Sequence, residues 1–331
     1  MRRRNFIALL SGAASWPLAA RAQQAARVAR VGYLVTGSVE SPVYRPTIDA
    51  FRQGLSQLGY REGQNIVIEF REAHGQPERF AMLATELVRR DVDLIVAPNT
   101  PAARAARQAT TTIPIVGFAL GDAVEDGLVS SLARPGGNVT GLTFLAPELT
   151  AKRLQLLKDV LPTLSRVAAL WHPGAFGERT TGEMLKTSEA AATALGLQLQ
   201  MIATRSHEEL DEAFSSMTGD RIEAVFVFPS PLFFSGQQRI AALALRHRLP
   251  SMFVSNEFVH FGGLVAYGAS ITDLARRGAM YVDKILKGAK PAELPVEQPT
   301  KFDLSINLTT AKTLGIVVSA NVQQLADEVI E

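Results

Sequence analysis

Apolar positions along the chain alternate between short unbroken runs and stretches in which they recur three and four residues apart. The runs at 28–35, 65–70, 92–97, 113–118 and 139–144 are rich in β-branched residues and show no strict polar alternation. That is the pattern of strands covered on both faces in a parallel sheet. Between them, Phe80, Leu83, Ala84, Leu87 and Val88 form one stripe at helical spacing; Ile48, Phe51, Leu55 and Leu58 form another that stops at Gly59. Glycine at that point suits a helix C-terminus.

The pattern then starts again, with runs at 167–171, 197–203, 224–228, 251–254 and 263–267. In each half an opening strand leads through a long helix to a Leu-Gly stop, Leu58-Gly59 and then Leu195-Gly196. Alternating strands and helices, repeated twice over 331 residues, predict an α/β protein of two doubly wound parallel-sheet lobes joined by a multi-strand hinge. The first lobe is expected to take 28–145 plus about 272–300, the second 146–271 plus about 301–331. Ala146-Pro147 would carry the first crossing, after the turn at Ala133-Arg134-Pro135-Gly136-Gly137. A helix over 272–286, ended by Gly288, would return the chain to the first lobe. The extended segment 294–308 would form a third strap into a terminal helix capped by Thr309.

The first residues differ in kind. Arg2, Arg3 and Arg4 precede an uncharged run over 6–20 that ends in Ala20-Arg21-Ala22, the layout of a secretory leader cleaved after about Ala22. Interrupted by Pro17, the run is shorter than the ~20 residues of a membrane-spanning helix. Arg3-Arg4-Asn5-Phe6-Ile7 resembles a twin-arginine signal, and both twin-arginine and general secretory export are open. Losing 1–22 takes the 34 basic residues to 30 against 32 acidic ones, and the formal charge from +2 to −2. No Lys/Arg block remains for nucleic acid or an anionic membrane. The chain has no cysteine, which excludes disulfides, a thiol nucleophile and a lipid anchor on cysteine. A free, monomeric periplasmic protein is the expectation.

In open parallel sheets, ligands bind beyond the carboxyl ends of the strands, so two facing lobes would share one cleft. The candidates are the residues that follow each strand. Ser38 and Ser41 follow the first. Asn99 and Thr100, ahead of Pro101, suit the start of a helix whose free N–H groups and dipole would hold a carboxylate, or an ordinary cap. Ser230 repeats that chemistry between Pro229 and Pro231. Asp122 and Glu257 could each take a ligand ammonium or cap a helix, with Asn256 beside the latter. Thr143 lies on the strand of the first crossing. Trp171 and Tyr267 stand at strand ends, where an aromatic ring stacks on a ligand or simply packs.

No phosphate loop, dinucleotide fingerprint, nucleophile elbow or H-E-x-x-H motif occurs, and His74, His172, His207, His247 and His260 have no metal-ligand spacing. Neither a catalytic set, a metal nor a cofactor is therefore expected. The alternative function is an exported enzyme acting on a small carboxylate metabolite in the same cleft, with Asp122 or Glu257 as acid or base.

Several longer stretches carry a family resemblance: Phe51-Arg52-Gln53-Gly54-Leu55, Glu62-Gly63-Gln64-Asn65-Ile66, Ser131-Leu132-Ala133-Arg134-Pro135-Gly136-Gly137-Asn138-Val139-Thr140-Gly141-Leu142, Tyr281-Val282-Asp283-Lys284-Ile285-Leu286-Lys287-Gly288-Ala289 and Pro299-Thr300-Lys301-Phe302. From Arg30 to Glu331 the chain resembles ABC-transporter substrate-binding proteins, among them tryptophan/tyrosine-type receptors, with a type I periplasmic-binding fold. The resemblance implies an amino-acid-like and in some members aromatic ligand, passed to a separately encoded membrane permease and ATPase. Gly121-Asp122-Ala123-Val124 stands where relatives carry a Gly-Asp-Pro-Val-like loop, with Ala in place of Pro.

Overall fold

The computed structural model describes residues 28–144 and 149–331; the expected leader and the crossing at Ala146-Pro147 lie outside them. The first half runs β1 (Ala29–Val35), α1 (Arg45–Gln57), β2 (Ile66–Glu72), α2 (Phe80–Arg89), β3 (Leu94–Val96), α3 (Thr100–Ala109), β4 (Ile115–Leu120) and β5 (Val139–Thr143). The second runs α4 (Leu149–Val160), β6 (Arg166–Trp171), α5 (Glu178–Ala194), β7 (Gln198–Ala203), α6 (Leu210–Gly219), β8 (Ala224–Val227), α7 (Pro231–Ser235), α8 (Gln237–Arg246), β9 (Ser251–Phe253), α9 (Glu257–His260) and β10 (Val265–Gly268). Then follow α10 (Ile271–Leu286), β11 (Asp303–Asn307), α11 (Leu308–Leu314), α12 (Ala320–Gln324) and β12 (Glu328–Ile330).

Two sheets result. The first has the order β2-β1-β3-β4-β5 and is wholly parallel. The second has the order β12-β11-β10-β9-β8-β6-β7. Numbered within each half, both sheets share the doubly wound order 2-1-3-4-5, and the repeat in the sequence is a repeat in topology. The Leu-Gly stops work as the pattern implies: Gly59 (φ +92°) and Gly196 (φ +68°) adopt left-handed conformations that a side chain would resist.

Each sheet is covered on both faces, which is why its strands read as unbroken apolar runs. Leu83, Leu87, Ala103 and Ala106 of α2 and α3 pack with Ile95 on one face of the first sheet. Ile48 and Phe51 of α1 and Leu274 and Val282 of α10 join Val31 and Val116 on the other. In the second sheet, Phe214, Ile240 and Val259 cover one face, and Leu157, Met184 and Ala311 the other. Helix α10 thus follows the last parallel strand of the second sheet but packs on the first, with the Ser270 hydroxyl capping it through the Asp273 N–H at 3.2 Å.

The C-terminal segment departs from expectation. Residues 303–307 of the expected strap form β11, which pairs antiparallel with β10, and β12, which no periodicity announces, adds a further strand. The helix that follows is capped by Asn307, which accepts the Thr310 N–H at 2.8 Å, not by Thr309, which lies inside α11. The ladder to β10 holds the backbone extended as far as Asn307 and so decides which polar residue becomes the cap. Upstream, Glu297 runs beside β5: its N–H donates to the Gly141 carbonyl at 3.0 Å, and its carbonyl accepts the Thr143 N–H at 2.9 Å.

Candidate functional site

The carboxyl ends of the two sets of parallel strands face a cavity of about 850 Å³, counting the space at its mouth. From the first half come Tyr33 and Thr36 at the end of β1, Tyr44, Thr47 and Ile48 at the start of α1, Pro98 to Thr100 ahead of α3, Phe118 on β4 and Phe144 after β5. From the second come Phe176, the segment Phe228 to Pro231, Phe234 on α7, and Val254, Ser255 and Phe258 around α9. Six phenylalanines and two tyrosines make most of this wall. Tyr33 packs on Phe51, with centroids 5.3 Å apart, and on Phe118, at 6.3 Å; Phe226 and Phe228 lie edge to face at 4.8 Å. Ring faces and edges fixed in this way suit a planar ligand.

Polar groups enter at a few fixed points. Asn99 is extended and caps α3, accepting the Ala102 N–H at 3.1 Å while its amide donates to the Thr36 hydroxyl at 2.9 Å. Pro101 in the first turn needs no N–H partner. The buried Thr100 hydroxyl accepts the Gly121 N–H at 2.9 Å and donates to Asp126 Oδ2 at 3.2 Å. On the other side the Ser230 hydroxyl accepts the Leu232 N–H at 3.1 Å and lies 2.9 Å from His172 Nδ1. Burial holds the His172 imidazole below its ordinary pKa, opposed by the charge of Glu209.

Two lining hydroxyls, Tyr44 Oη and Thr47 Oγ1, are buried with no partner at full hydrogen-bond geometry, although Ser235 and Thr36 stand beside Tyr44. Burial also drives the Tyr44 phenol upward, so it stays a neutral donor and acceptor. An unsatisfied buried hydroxyl costs about 1–3 kcal/mol, a cost that a polar ligand group reaching both would remove. The arrangement offers an aromatic slot with a short polar edge.

Of the residues singled out in the sequence, Asn99, Thr100 and Ser230 line the cavity. The others stand behind or beside its wall. Ser38 donates to Glu72 at 3.1 Å, and Ser41 accepts the Val43 N–H at 3.3 Å. Asp122 turns back on its own loop, its Oδ1 accepting the Val124 and Glu125 N–H groups at 3.0 Å each. Thr143 is buried on β5 with its hydroxyl unpartnered. Trp171 and Tyr267 are half-buried against the core, and Tyr267 also packs on Phe302 at 6.3 Å. Glu257 accepts the hydroxyl of the lining residue Ser255. Its Oε1 and the neighbouring Asn256 Oδ1 are shut off from solvent with no partner, and burial raises the Glu257 carboxyl above its ordinary range. The aromatic lining went unpredicted: Tyr33 and Phe118 sit inside strands buried on both faces, where no spacing tells the cavity side from the core side.

Known proteins of this architecture fall into place beside that geometry. The tyrosine-binding protein of Clostridioides difficile is 29% identical over 279 residues, covering 83% of this chain and 79% of its own. A Streptococcus pneumoniae ABC domain solved in complex with L-Trp is 28% identical and superposes with a TM-score of 0.83, over 91% of this chain and 99% of that one. The ligand-free, open structure of a C. difficile substrate binding protein with adhesive properties is 26% identical and gives a TM-score of 0.65, over 92% and 99%. The two-sheet architecture is the type I periplasmic-binding fold. The family model described as ABC transporter substrate binding protein matches residues 34–330, and the chain belongs to that family.

Proposed function

We propose that this protein is a periplasmic receptor that takes an aromatic L-amino acid, tyrosine or tryptophan, into the cavity between its lobes and passes it to the permease and ATPase of an ABC importer. The observation that carries the reading is the wall itself: six phenylalanines and two tyrosines from both halves, with Tyr44 and Thr47 hydroxyls waiting for a polar partner. The ring would lie among the phenylalanines. The α-carboxylate would meet the start of α3 at Asn99 and Thr100, where helix geometry favours an anion. The ammonium would find acceptors on the Ser255 side, with Glu257 and Asn256 behind it. The relatives named for tyrosine and solved with L-Trp support the ligand class.

The lobes would be 28–145 plus about 272–300 and 146–271 plus about 301–331, working as a monomer that closes around its ligand. The closer superposition on the L-Trp complex than on the ligand-free open relative supports closure. The receptor would bind without turnover, after export and loss of residues 1–22.

Mass spectrometry of small molecules released from the purified protein, followed by calorimetric titration with L-tyrosine and L-tryptophan, tests the reading. Release of either amino acid, or saturable binding of one, supports it. Binding of aliphatic or charged amino acids with both aromatic ones silent would overturn it.

A further inference from the structure

Helix α5 starts without a cap of its own. Its N-cap residue is Gly177, which has no side chain to accept the exposed N–H groups of the first turn. The loop between β4 and β5 of the other sheet supplies an acceptor, taken by the N–H of Gly177 itself and by a first-turn hydroxyl. Asp126 Oδ1 accepts the Gly177 N–H at 2.7 Å and the Thr180 hydroxyl at 2.8 Å. The second oxygen, Oδ2, accepts the hydroxyl of Thr100 at 3.2 Å, and Thr100 stands in the cavity wall. One carboxylate therefore joins the binding wall of one lobe to the head of a 17-residue helix in the other. A negative charge is favoured at a helix N-terminus.

Two glycines keep the space for it. A methyl on Gly177 would lie 2.7 Å from Asp126 Oδ1, and one on Gly121 would lie 2.9 Å from Oδ2. Beside this half-buried link runs a second cross-lobe contact, Arg179 to Glu125 at 3.2 Å. Its arginine is exposed to solvent, and ion pairs of that kind contribute little.

We propose that Asp126 is the positioning residue that sets lobe closure: closing the cleft supplies α5 with its missing cap, and opening it takes the cap away. Thr100 carries the link to the ligand. Its hydroxyl proton is given to Asp126 and its oxygen accepts from Gly121, so a ligand that settles against the Thr100 backbone fixes the carboxylate in its capping position. The ligand half of this inference rests on the receptor reading above; the capping half does not.

The chain contains no cysteine, so spin labels can be placed on cysteines introduced at the exposed Glu78 and Glu208. These flank the cleft where a methyl on Gly75 would lie 4.0 Å from the His207 ring. Distances between the labels are measured by pulsed electron resonance with and without L-tyrosine or L-tryptophan, alongside calorimetric Kd values. Asp126→Ala and Gly177→Ala are expected to lengthen the ligand-free distance and to raise Kd about tenfold or more, the weight of one charge-assisted hydrogen bond. Asp126→Asn, which keeps an acceptor oxygen, should fall between. Glu125→Gln should leave distance and Kd unchanged, and circular dichroism melts establish that every variant folds. An Asp126→Ala protein with the wild-type distance distribution overturns the inference, as does equal damage from Glu125→Gln. If the distance lengthens while the wild type binds neither amino acid, Asp126 keeps its role and the ligand assignment falls.

Discussion

The ring of Tyr44 meets the ring of Phe234 edge-on, centroids 5.7 Å apart and planes at 65°, so the two lobes touch through aromatic side chains at the rim of the cavity. Tyr44 brings to that contact a buried hydroxyl that has Ser235 and Thr36 beside it but no partner at full hydrogen-bond geometry. Removing it should therefore act in opposite directions on affinity and stability. In Tyr44→Phe, the Kd for the preferred aromatic amino acid should rise about tenfold, the loss of one hydrogen bond to a charged ligand group. The melting temperature of the ligand-free protein should hold or increase. Calorimetric titration and differential scanning calorimetry on one preparation check both signs.

Phe234 and Phe253 separate lining from scaffold. Phe234 is half-buried and faces the cavity, whereas Phe253 is fully buried and stacks on Phe258 at 4.5 Å with planes 16° apart. Phe234→Ala should weaken binding of the aromatic ligand tenfold or more while costing little stability. Phe253→Ala should cost about 3–5 kcal/mol, seen as a lower denaturant midpoint.

The fifth strand of each sheet carries a glycine pressed against the fourth. A methyl on Gly141 would lie 1.8 Å from the Gly117 carbonyl oxygen, and one on Gly268 would lie 1.8 Å from the Val254 carbonyl oxygen. Gly141 also adopts φ +134°, a conformation that side chains resist. Gly141→Ala should destabilise the protein by about 3 kcal/mol or more, with clash and backbone strain acting together. Gly268→Ala should do less damage, since it lacks the dihedral penalty. Urea unfolding of the two variants ranks them.

Burial raises the Glu257 carboxyl, which fixes the sign of its contribution to stability. A carboxyl whose folded pKa lies above its unfolded value contributes fully below the unfolded value, and that contribution is lost as pH rises through the folded one. The melting-temperature advantage of Glu257→Gln over wild type should therefore be larger at about pH 8 than at about pH 5. Parallel thermal melts at both values decide it; an advantage independent of pH would mean that Glu257 ionises as an ordinary surface carboxylate.

The sequence announced the scaffold more fully than the cavity, for identifiable reasons. Parallel strands buried on both faces produce runs that are easy to recognise, and glycines at Gly59 and Gly196 punctuate them because the chain reverses there. The same burial hides function, since Tyr33 and Phe118 look like any other core aromatic. Polar candidates were legible where a helix start needed a cap, as at Asn99 and Ser230. Asp122 and Asp126 stand four residues apart, and only the path of the loop decides that the first closes its own turn while the second reaches the other sheet. Asn307 and Thr309 pose the same problem at α11: both are competent caps, and the ladder to β10 chooses between them.

The segment around Glu297 lies hydrogen-bonded alongside β5, next to the point where the chain leaves the first sheet, and the turn from β10 into α10 crosses back between the sheets. Covalent connections gathered in this way, two of them pinned to each other, resist sliding and twisting far more than bending. In the closure proposed above, the gape of the cleft would then reduce to a single angle, and one well-chosen distance across its rim would report the whole motion.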